Sequence, residues 1–199
     1  MIIATGSTLR VDPRMVVDFW FSERARSLWF EKDREFDAEI AARFDAAVHA
    51  AQMGGMEEWL ATPDGTLAVL ILLDQMARNI HRGEAKAFLG DRRAVAIARD
   101  AIGRGDDRRF PFPKRRFFYL PFEHSEAMAD QYLSIRCFTA LVEDCAPEHR
   151  KEAEEQLDYA HRHRVIIERF GRYPHRNAAL GRETTAAEAD FLNGPNSSF

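Results

Sequence analysis

The chain has 199 residues, of which 46% are hydrophobic and 30% charged, and its formal net charge at pH 7 is -4. The length suits one domain with a buried core, the composition excludes a mainly disordered chain, and the charge gives no general attraction to nucleic acid or to an anionic membrane. Two cysteines, Cys137 and Cys145, are too few for a disulfide framework, so we expect free thiols in a reducing compartment. The N-terminus does not resemble a signal peptide, and the longest apolar run, Leu67 to Leu73, is far shorter than the roughly 20 residues of a membrane span. The expected location is therefore the cytoplasm.

Capping signals and apolar residues at helical spacing predict a series of helices. Start signals occur at Asp12-Pro13, Thr62-Pro63, Pro147 and Thr185, and apolar residues at helical spacing mark three further helices that include 36–48, 94–102 and 128–142. The helix that contains Ala94 is expected to close near Gly103. The segment from Phe110 to Glu123 is rich in Pro and aromatic residues and has no helical period, so we expect an ordered connection there.

These elements predict an all-α fold of about eight helices, because no stretch shows the alternation of a strand. The connections are mostly short, which favours antiparallel hairpins stacked into a bundle or a short superhelix. We expect one helical domain over residues 1–199, with an ordered core at 11–192 and tails at 1–10 and 193–199.

The predicted helix from Thr62 to Ile80 is apolar on all sides between Leu67 and Leu73, and it then turns polar. The polar residues are Asp74, Gln75, Arg78 and Asn79. Side chains four residues apart lie on one face of a helix, so these residues form two stacked pairs. Since buried polar groups need partners, the set predicts either a structural hydrogen-bond network or one wall of a ligand site.

A second polar group, at Glu123, His124 and Glu126, follows the aromatic segment. Glu126 suits a helix N-terminus, where carboxylates are favoured. His124 suits a proton-transfer residue, a metal ligand or a hydrogen-bonded core histidine. His161 is expected on the apolar face of its helix, one turn after Leu157, as either a core residue or a site residue.

A dense group of hydrogen-bond donors lies on the loop between Gly171 and Arg182. Arg172, Arg176 and Asn177 on this loop would suit a carboxylate or a phosphate. They would equally suit a structural contact that satisfies the carbonyl groups at a helix C-terminus.

Familiar catalytic and nucleotide-binding motifs are missing from the sequence. It contains no phosphate-binding or dinucleotide-binding glycine loop, no nucleophile elbow, no zinc-protease helix motif and no Glu-x-x-His pair. We therefore expect no cofactor and no metal. His124, Glu126 and His161 form the only plausible metal-binding set.

Three motifs occur together in a fixed order. They are Leu72-Leu-Asp-Gln-x-x-Arg-Asn79 with Arg82-Gly83, then Tyr119-Leu-Pro-Phe-x-His-Ser-Glu126, then Arg169-Phe-Gly-Arg-Tyr-Pro-His-Arg-Asn177 with Leu180-Gly-Arg182, Thr185 and Glu188. In these motifs the chain resembles the bacterial family known as domain of unknown function 924. The similarity extends from about Val16 to Leu192, and Met76-Ala77 departs from the pattern. The resemblance implies an all-α, tetratricopeptide-like fold and no assigned activity.

Two hypotheses about function follow from these residues. In the first, the polar residues line a pocket for a small anionic metabolite, in a binding protein or an enzyme. Its candidate ligand-binding residues are Asp74, Gln75, Arg78, Asn79, Arg172, Arg176 and Asn177, and its candidate catalytic residues are His124, His161 and Glu126. In the alternative, the polar residues are structural and a peptide or protein binds in an open groove lined by Trp20, Trp29, Phe117 and Tyr119. A nucleic-acid contact through the basic stretch from Arg104 to Arg116 is the weakest hypothesis.

Overall fold

The structure is a computed structural model that describes residues 11–195. Over that range the chain forms helices and turns and no strand, which confirms the all-α class. The helices are α1 (Pro13–Trp20), α2 (Glu23–Arg26), α3 (Arg34–Gln52), α4 (Pro63–Leu70), a π-helical segment (Ile71–Met76), α5 (Ala77–Ile80), α6 (Asp91–Arg104), α7 (Leu120–Glu123), α8 (Met128–Asp144), α9 (Arg150–Phe170) and α10 (Ala186–Leu192). Of the predicted tails, residues 1–10 and 196–199 lie outside the described range.

Local capping signals set the helix starts that the sequence predicts. The Asp12 side chain accepts a hydrogen bond of 2.9 Å from the amide of Met15, and Thr62 caps α4 in the same way. Thr185 and Glu188 form a reciprocal capping box at the start of α10. Each cap satisfies an amide that the first helical turn leaves without a partner.

A central helix runs without a break through α4, the π-helical segment and α5. All of its residues from Gly65 to Ala77 are buried, because it contacts α1, α3 and α6. Burial on all sides favours apolar residues, which explains the continuous apolar run from Leu67 to Leu73 in the sequence.

The long helices α8 and α9 pack against each other as a hairpin joined by residues 145–149. The short helix α7 contacts α6, α8 and α9, so it lies between the hairpin and the rest of the core. This position brings the C-terminal end of α7 close to residues from both halves of the chain. The tetratricopeptide-like arrangement of the hairpins stays a prediction.

One local prediction is incomplete. The segment from Phe110 to Glu123 is ordered and contains no strand, but it also includes a 3-10 turn at Lys114–Phe118 and then α7, which the sequence analysis does not predict. Helix α6 ends at Arg104, near Gly103 as predicted, and Gly105 takes the left-handed conformation (φ 75°) of a helix-ending glycine.

Both cysteines are free, as the sequence predicts, and both are half-buried. Among residues 11–195, no helix has both the length and the apolar character needed to cross a membrane. The cytoplasmic location stays a prediction.

Candidate functional site

The π-helical segment places a carboxylate inside the protein. Asp74 lies within Ile71–Met76 and is 2% exposed. Its carboxylate is 2.8 Å from Nδ1 of His124, accepts a hydrogen bond of 2.6 Å from Gln75, and lies 3.2 Å from the guanidinium group of Arg78. π-Helical turns are rare and are frequent at functional sites, where they change the direction of side chains along a helix.

Two arginines converge on a second carboxylate. Asp91, in the first turn of α6, lies 3.0 Å from Nη2 of Arg78 and 3.2 Å from Nη1 of Arg176. Arg78 belongs to α5 and Arg176 to the turn Pro174–Arg176, so segments distant in sequence meet here. The planar guanidinium group donates to several acceptors at once and matches the geometry of carboxylates and phosphates.

Aromatic rings hold Arg176 in place. Its guanidinium carbon lies 4.7 Å from the ring centre of Phe88 and 4.4 Å from that of Tyr173. Its Nη2 also donates to the backbone carbonyl of His124 at 2.9 Å. These contacts favour the charged guanidinium group and fix its orientation.

A buried carboxylate and a second histidine complete the arrangement. Oε1 of Glu123, at the end of α7, lies 3.6 Å from Nδ1 of His163 on α9, and this nitrogen also donates to the carbonyl of Tyr159 at 2.9 Å. The ring centres of His163 and His124 are 6.0 Å apart. We call the following set the inner cluster: Asp74, Arg78, Asp91, Glu123, His124, His163 and Arg176.

Burial shifts several pKa values in the inner cluster. Burial raises the pKa of Glu123 to about 8, and the negative charge of Asp74 adds to this effect. Burial lowers the pKa of His163 to about 3, and it also lowers the pKa of His124, so both imidazoles are neutral at pH 7. Burial alone would raise the pKa of Asp74, but the charge of Arg78 and the contact with His124 hold it well below its usual range.

Some buried polar atoms in and beside the inner cluster have no hydrogen-bond partner. Among the described residues these atoms include Oε2 of Glu123, Nδ1 of His175 and Nε of Arg176. Buried polar atoms are nearly always paired in folded proteins. A water molecule or a ligand that reached these atoms would give them a hydrogen-bond partner.

Known proteins related to this chain identify its family. The model of a family described as bacterial protein of unknown function (DUF924) matches residues 16–196. The chain belongs to this family. A solved structure, that of a protein of unknown function from Agrobacterium tumefaciens, is 39% identical, with a TM-score of 0.77 over 91% of this chain and 96% of that chain. No curated protein matches the chain. No specific function is thus established by these relatives.

Four of the predicted residues from the DUF924 motifs meet in the inner cluster. They are Asp74, Arg78, His124 and Arg176. Gln75 joins them through its hydrogen bond to Asp74 rather than by pairing with Asn79. These residues come from all three motifs, so the fold brings the three segments together.

Two predicted amide side chains have contacts outside the inner cluster. The amide of Asn79 donates to Asp37 on α3 at 2.8 Å, and Arg82 binds the same carboxylate with two hydrogen bonds. The amide of Asn177 donates to Thr184 within the C-terminal loop at 3.3 Å. Both contacts join one segment of the chain to another.

Two charged residues of the DUF924 motifs pair away from the inner cluster. Arg172 binds both carboxylate oxygens of Glu188 at 2.6 and 2.8 Å, which joins the loop to α10. Glu126 binds Arg182 through both oxygens and accepts a hydrogen bond from the amide of Tyr173. These pairs join one segment of the chain to another, and the ligand-binding role of Arg172 and the catalytic role of Glu126 stay predictions.

The predicted position of His161 is wrong. Its side chain is exposed on α9, whereas His163 is buried in the inner cluster. Two residues turn a helix by about 200°, so the two histidines lie on different sides. Ala153, Ala160 and Ile167, all buried and spaced by seven, mark the inward face of α9 and are the signal that favours His163.

Asp91, Glu123 and His163 are the inner-cluster residues that sequence reasoning left out of the candidate site. Asp91 gave no distinct signal, because an acidic residue is ordinary in the first turn of a helix. Glu123 stood beside His124 in the sequence but was not assigned a role. The metal-binding set expected from the sequence is also replaced, since His163 and Glu123, not His161 and Glu126, lie next to His124.

The aromatic residues of the predicted groove are buried. Trp20, Trp29, Phe117 and Tyr119 are between 0% and 7% exposed and belong to the core. Trp20, Phe117 and Tyr119 do not line an open groove, whereas an edge of Trp29 lies in the wall of a cleft. A cleft of about 750 Å³ does lie at the edge of this aromatic region, with the exposed ring of Phe30 in its wall.

The basic stretch from Arg104 to Arg116 is partly used within the fold. Arg104 pairs with Asp106 at 2.7 Å, and the buried Arg116 pairs with Glu152 at 2.9 Å. These contacts reduce the positive charge that the stretch could offer to a nucleic acid.

Proposed function

We propose that the protein binds a small anionic molecule at the inner cluster, through Arg78 and Arg176. The observation that carries this proposal is the meeting of two guanidinium groups on the single carboxylate of Asp91, at 3.0 and 3.2 Å. A carboxylate or phosphate of a ligand has a similar charge and geometry, so it would bind the same groups.

The inner cluster is both accessible and partly rigid. The side chains of Arg78, Asp91 and His124 are 20%, 16% and 18% exposed, so a molecule from solvent can reach them. Arg176 is held between two aromatic rings, so it loses little conformational freedom when a ligand binds.

His124 is the candidate for proton transfer to or from the bound anion. Asp74 orients the imidazole through Nδ1, which leaves Nε2 for another partner. Burial keeps the pKa of His124 below its usual value, so the neutral ring can accept a proton. A turnover assay with the identified ligand would show whether the anion is only bound or also converted.

The test is a thermal-shift assay with a panel of dicarboxylates, tricarboxylates and phosphate esters. We expect at least one of them to raise the Tm of the wild type, because a ligand at a hundred times its Kd stabilises a protein by about 2.7 kcal/mol. Arg78→Gln should abolish this rise. Arg172→Gln is the matched control, since it also removes an arginine paired with a carboxylate, but outside the inner cluster.

Each variant is compared with its own unliganded Tm, so a loss of stability does not imitate a loss of binding. The proposal is wrong if no anion of the panel stabilises the wild type. It is also wrong if Arg78→Gln responds to the anion as strongly as Arg172→Gln does.

A further inference from the structure

Three residues of the inner cluster have the composition of a metal site. One liganding atom from each of Glu123, His124 and His163 lies within 4.8 Å of the other two. Glu123 and its neighbour His124 come at the end of α7, and His163 lies on α9, so two packed elements set these distances. Two imidazoles and one carboxylate are a ligand set that zinc uses in catalytic sites.

The side chain of Glu123 is buried, and one of its oxygens has no hydrogen bond within the described part of the chain to replace those it would make with water. The residue is 4% exposed, and Oε2 has no hydrogen-bond partner among the described residues. The other oxygen is 3.6 Å from His163, which is too long for a hydrogen bond. Buried carboxylates are normally paired with a cation or bound to a metal. A metal ion held jointly with the two histidines would be such a partner for Oε2.

Each of the two histidines makes a hydrogen bond of the kind that orients a metal-binding imidazole. Nδ1 of His124 is hydrogen-bonded to the carboxylate of Asp74, and Nδ1 of His163 is hydrogen-bonded to the backbone carbonyl of Tyr159. Histidines that bind metals almost always donate one ring N–H to a carboxylate or a carbonyl, which fixes the ring and makes it a better ligand. The surroundings of the two rings therefore match those of a metal site.

We propose that Glu123, His124 and His163 bind a divalent transition-metal ion, with zinc as the preferred ion, through one carboxylate oxygen and one nitrogen from each imidazole. Three protein ligands leave one position of a tetrahedral zinc ion open for water or another molecule. In the loaded protein His124 is a ligand and not a base, because the ion uses the lone pair that a proton would take. Anion binding by Arg78 and Arg176 does not depend on this ion.

The test is zinc binding by the chain without a histidine tag. The protein is stripped with a chelator, equilibrated with zinc chloride, separated from free zinc by gel filtration and submitted to elemental analysis. We expect about one equivalent of zinc in the wild type, as for a site with three protein ligands. Glu123→Gln and His163→Asn should each weaken zinc binding by about 100-fold or more. Removing only a residue that hydrogen-bonds to a metal ligand already lowers metal affinity by about 10- to 100-fold, and these changes remove a ligand itself.

His161→Asn is the matched control, because it removes a histidine from the exposed side of the same helix two residues away. It should bind zinc as the wild type does. Zinc below about a tenth of an equivalent in the wild type overturns the proposal, since a folded site of this kind fills when its ligands are deprotonated. Equal affinities of His163→Asn and His161→Asn also overturn it.

The visible absorption spectrum of the wild type with cobalt(II) is a second measurement. It tests the metal site even if the variants fail to fold. Visible absorption typical of four-coordinate cobalt supports the proposal, and the spectrum of hydrated cobalt overturns it. The anion panel is measured without added metal, so a failure of this proposal is distinguishable from a failure of anion binding.

Discussion

Two arginines of one loop, Arg172 and Arg176, have opposite surroundings. Arg172 is partly exposed and binds both oxygens of Glu188, whose hydrogen bonds are completed by the amide of Thr185. We call Arg172, Thr185 and Glu188 the C-terminal lock. Arg176 is 5% exposed and turns into the inner cluster, where its Nε has no hydrogen-bond partner.

This difference separates a polar region that the chain itself satisfies from the region where we propose that a ligand binds. Both arginines belong to the same DUF924 motif, so the motif alone does not distinguish them. What distinguishes them is whether the chain supplies all the partners. The C-terminal lock is satisfied by its own residues, whereas the inner cluster contains donor and acceptor atoms, such as Oε2 of Glu123, that have no partner among the described residues.

The largest effect on stability is expected for Arg176→Ala. The change leaves Asp91 with one cation instead of two and opens a gap between Phe88 and Tyr173. We expect a loss of about 3 kcal/mol in the free energy of unfolding, because the change weakens a buried ion pair and also leaves a gap in the packing. Urea denaturation measures it, and Arg172→Ala is the comparison. Equal losses in the two variants would remove the distinction between the regions.

A smaller loss is expected for Asp74→Asn. The amide keeps the shape of the side chain but removes the negative charge that faces Arg78 and His124. We expect a loss of about 1.5 to 3 kcal/mol, the usual contribution of a hydrogen bond to a charged group. Unchanged or higher stability in urea would mean that this carboxylate does not stabilise the cluster.

Thr185→Ala tests the C-terminal lock itself. It removes the side-chain cap of α10, and the loss of such a cap costs about 1 kcal/mol. Because this cap is separate from the inner cluster, zinc and anion binding should be unchanged. A weaker zinc or anion affinity in Thr185→Ala would show that the two regions are coupled.

The smallest effect is expected for His161→Asn. An exposed side chain of this kind changes stability by no more than about 0.5 kcal/mol. His163→Asn should be clearly less stable, since His163 is buried against Glu123 and Tyr173. If the two variants have the same Tm, the assignment of the inward face of α9 is wrong.

Helix starts and the all-α class could be predicted because their causes are local. Asp12, Thr62 and Thr185 cap the helices that follow them with side chains only a few residues away, and this information is present in the sequence. The polar end of the central helix was found for a similar reason, since Asp74 and Arg78 interrupt a long apolar run.

The remaining parts of the site depend on geometry that the sequence does not show. The π-helical segment lies where every residue from Gly65 to Ala77 is buried. The apolar residues therefore have no period there that would indicate a change from α-helical to π-helical pitch. Asp91 has its role only because α6 packs beside α5 and the C-terminal loop. The sequence pattern misplaces His161 because Leu157, one turn before it, is only half-buried and lies away from the centre of the inward face of α9.

Crystals soaked with zinc and with the anion that gives the largest thermal shift would test the central claim, that the inner cluster is a ligand site and the C-terminal lock is not. Anomalous diffraction at the zinc edge should give a peak between Glu123, His124 and His163, with the anion against Arg78 and Arg176. The contacts of Arg172 with Glu188 should be unchanged. An inner cluster without zinc and without anion, under conditions that saturate the crystals, would contradict the account.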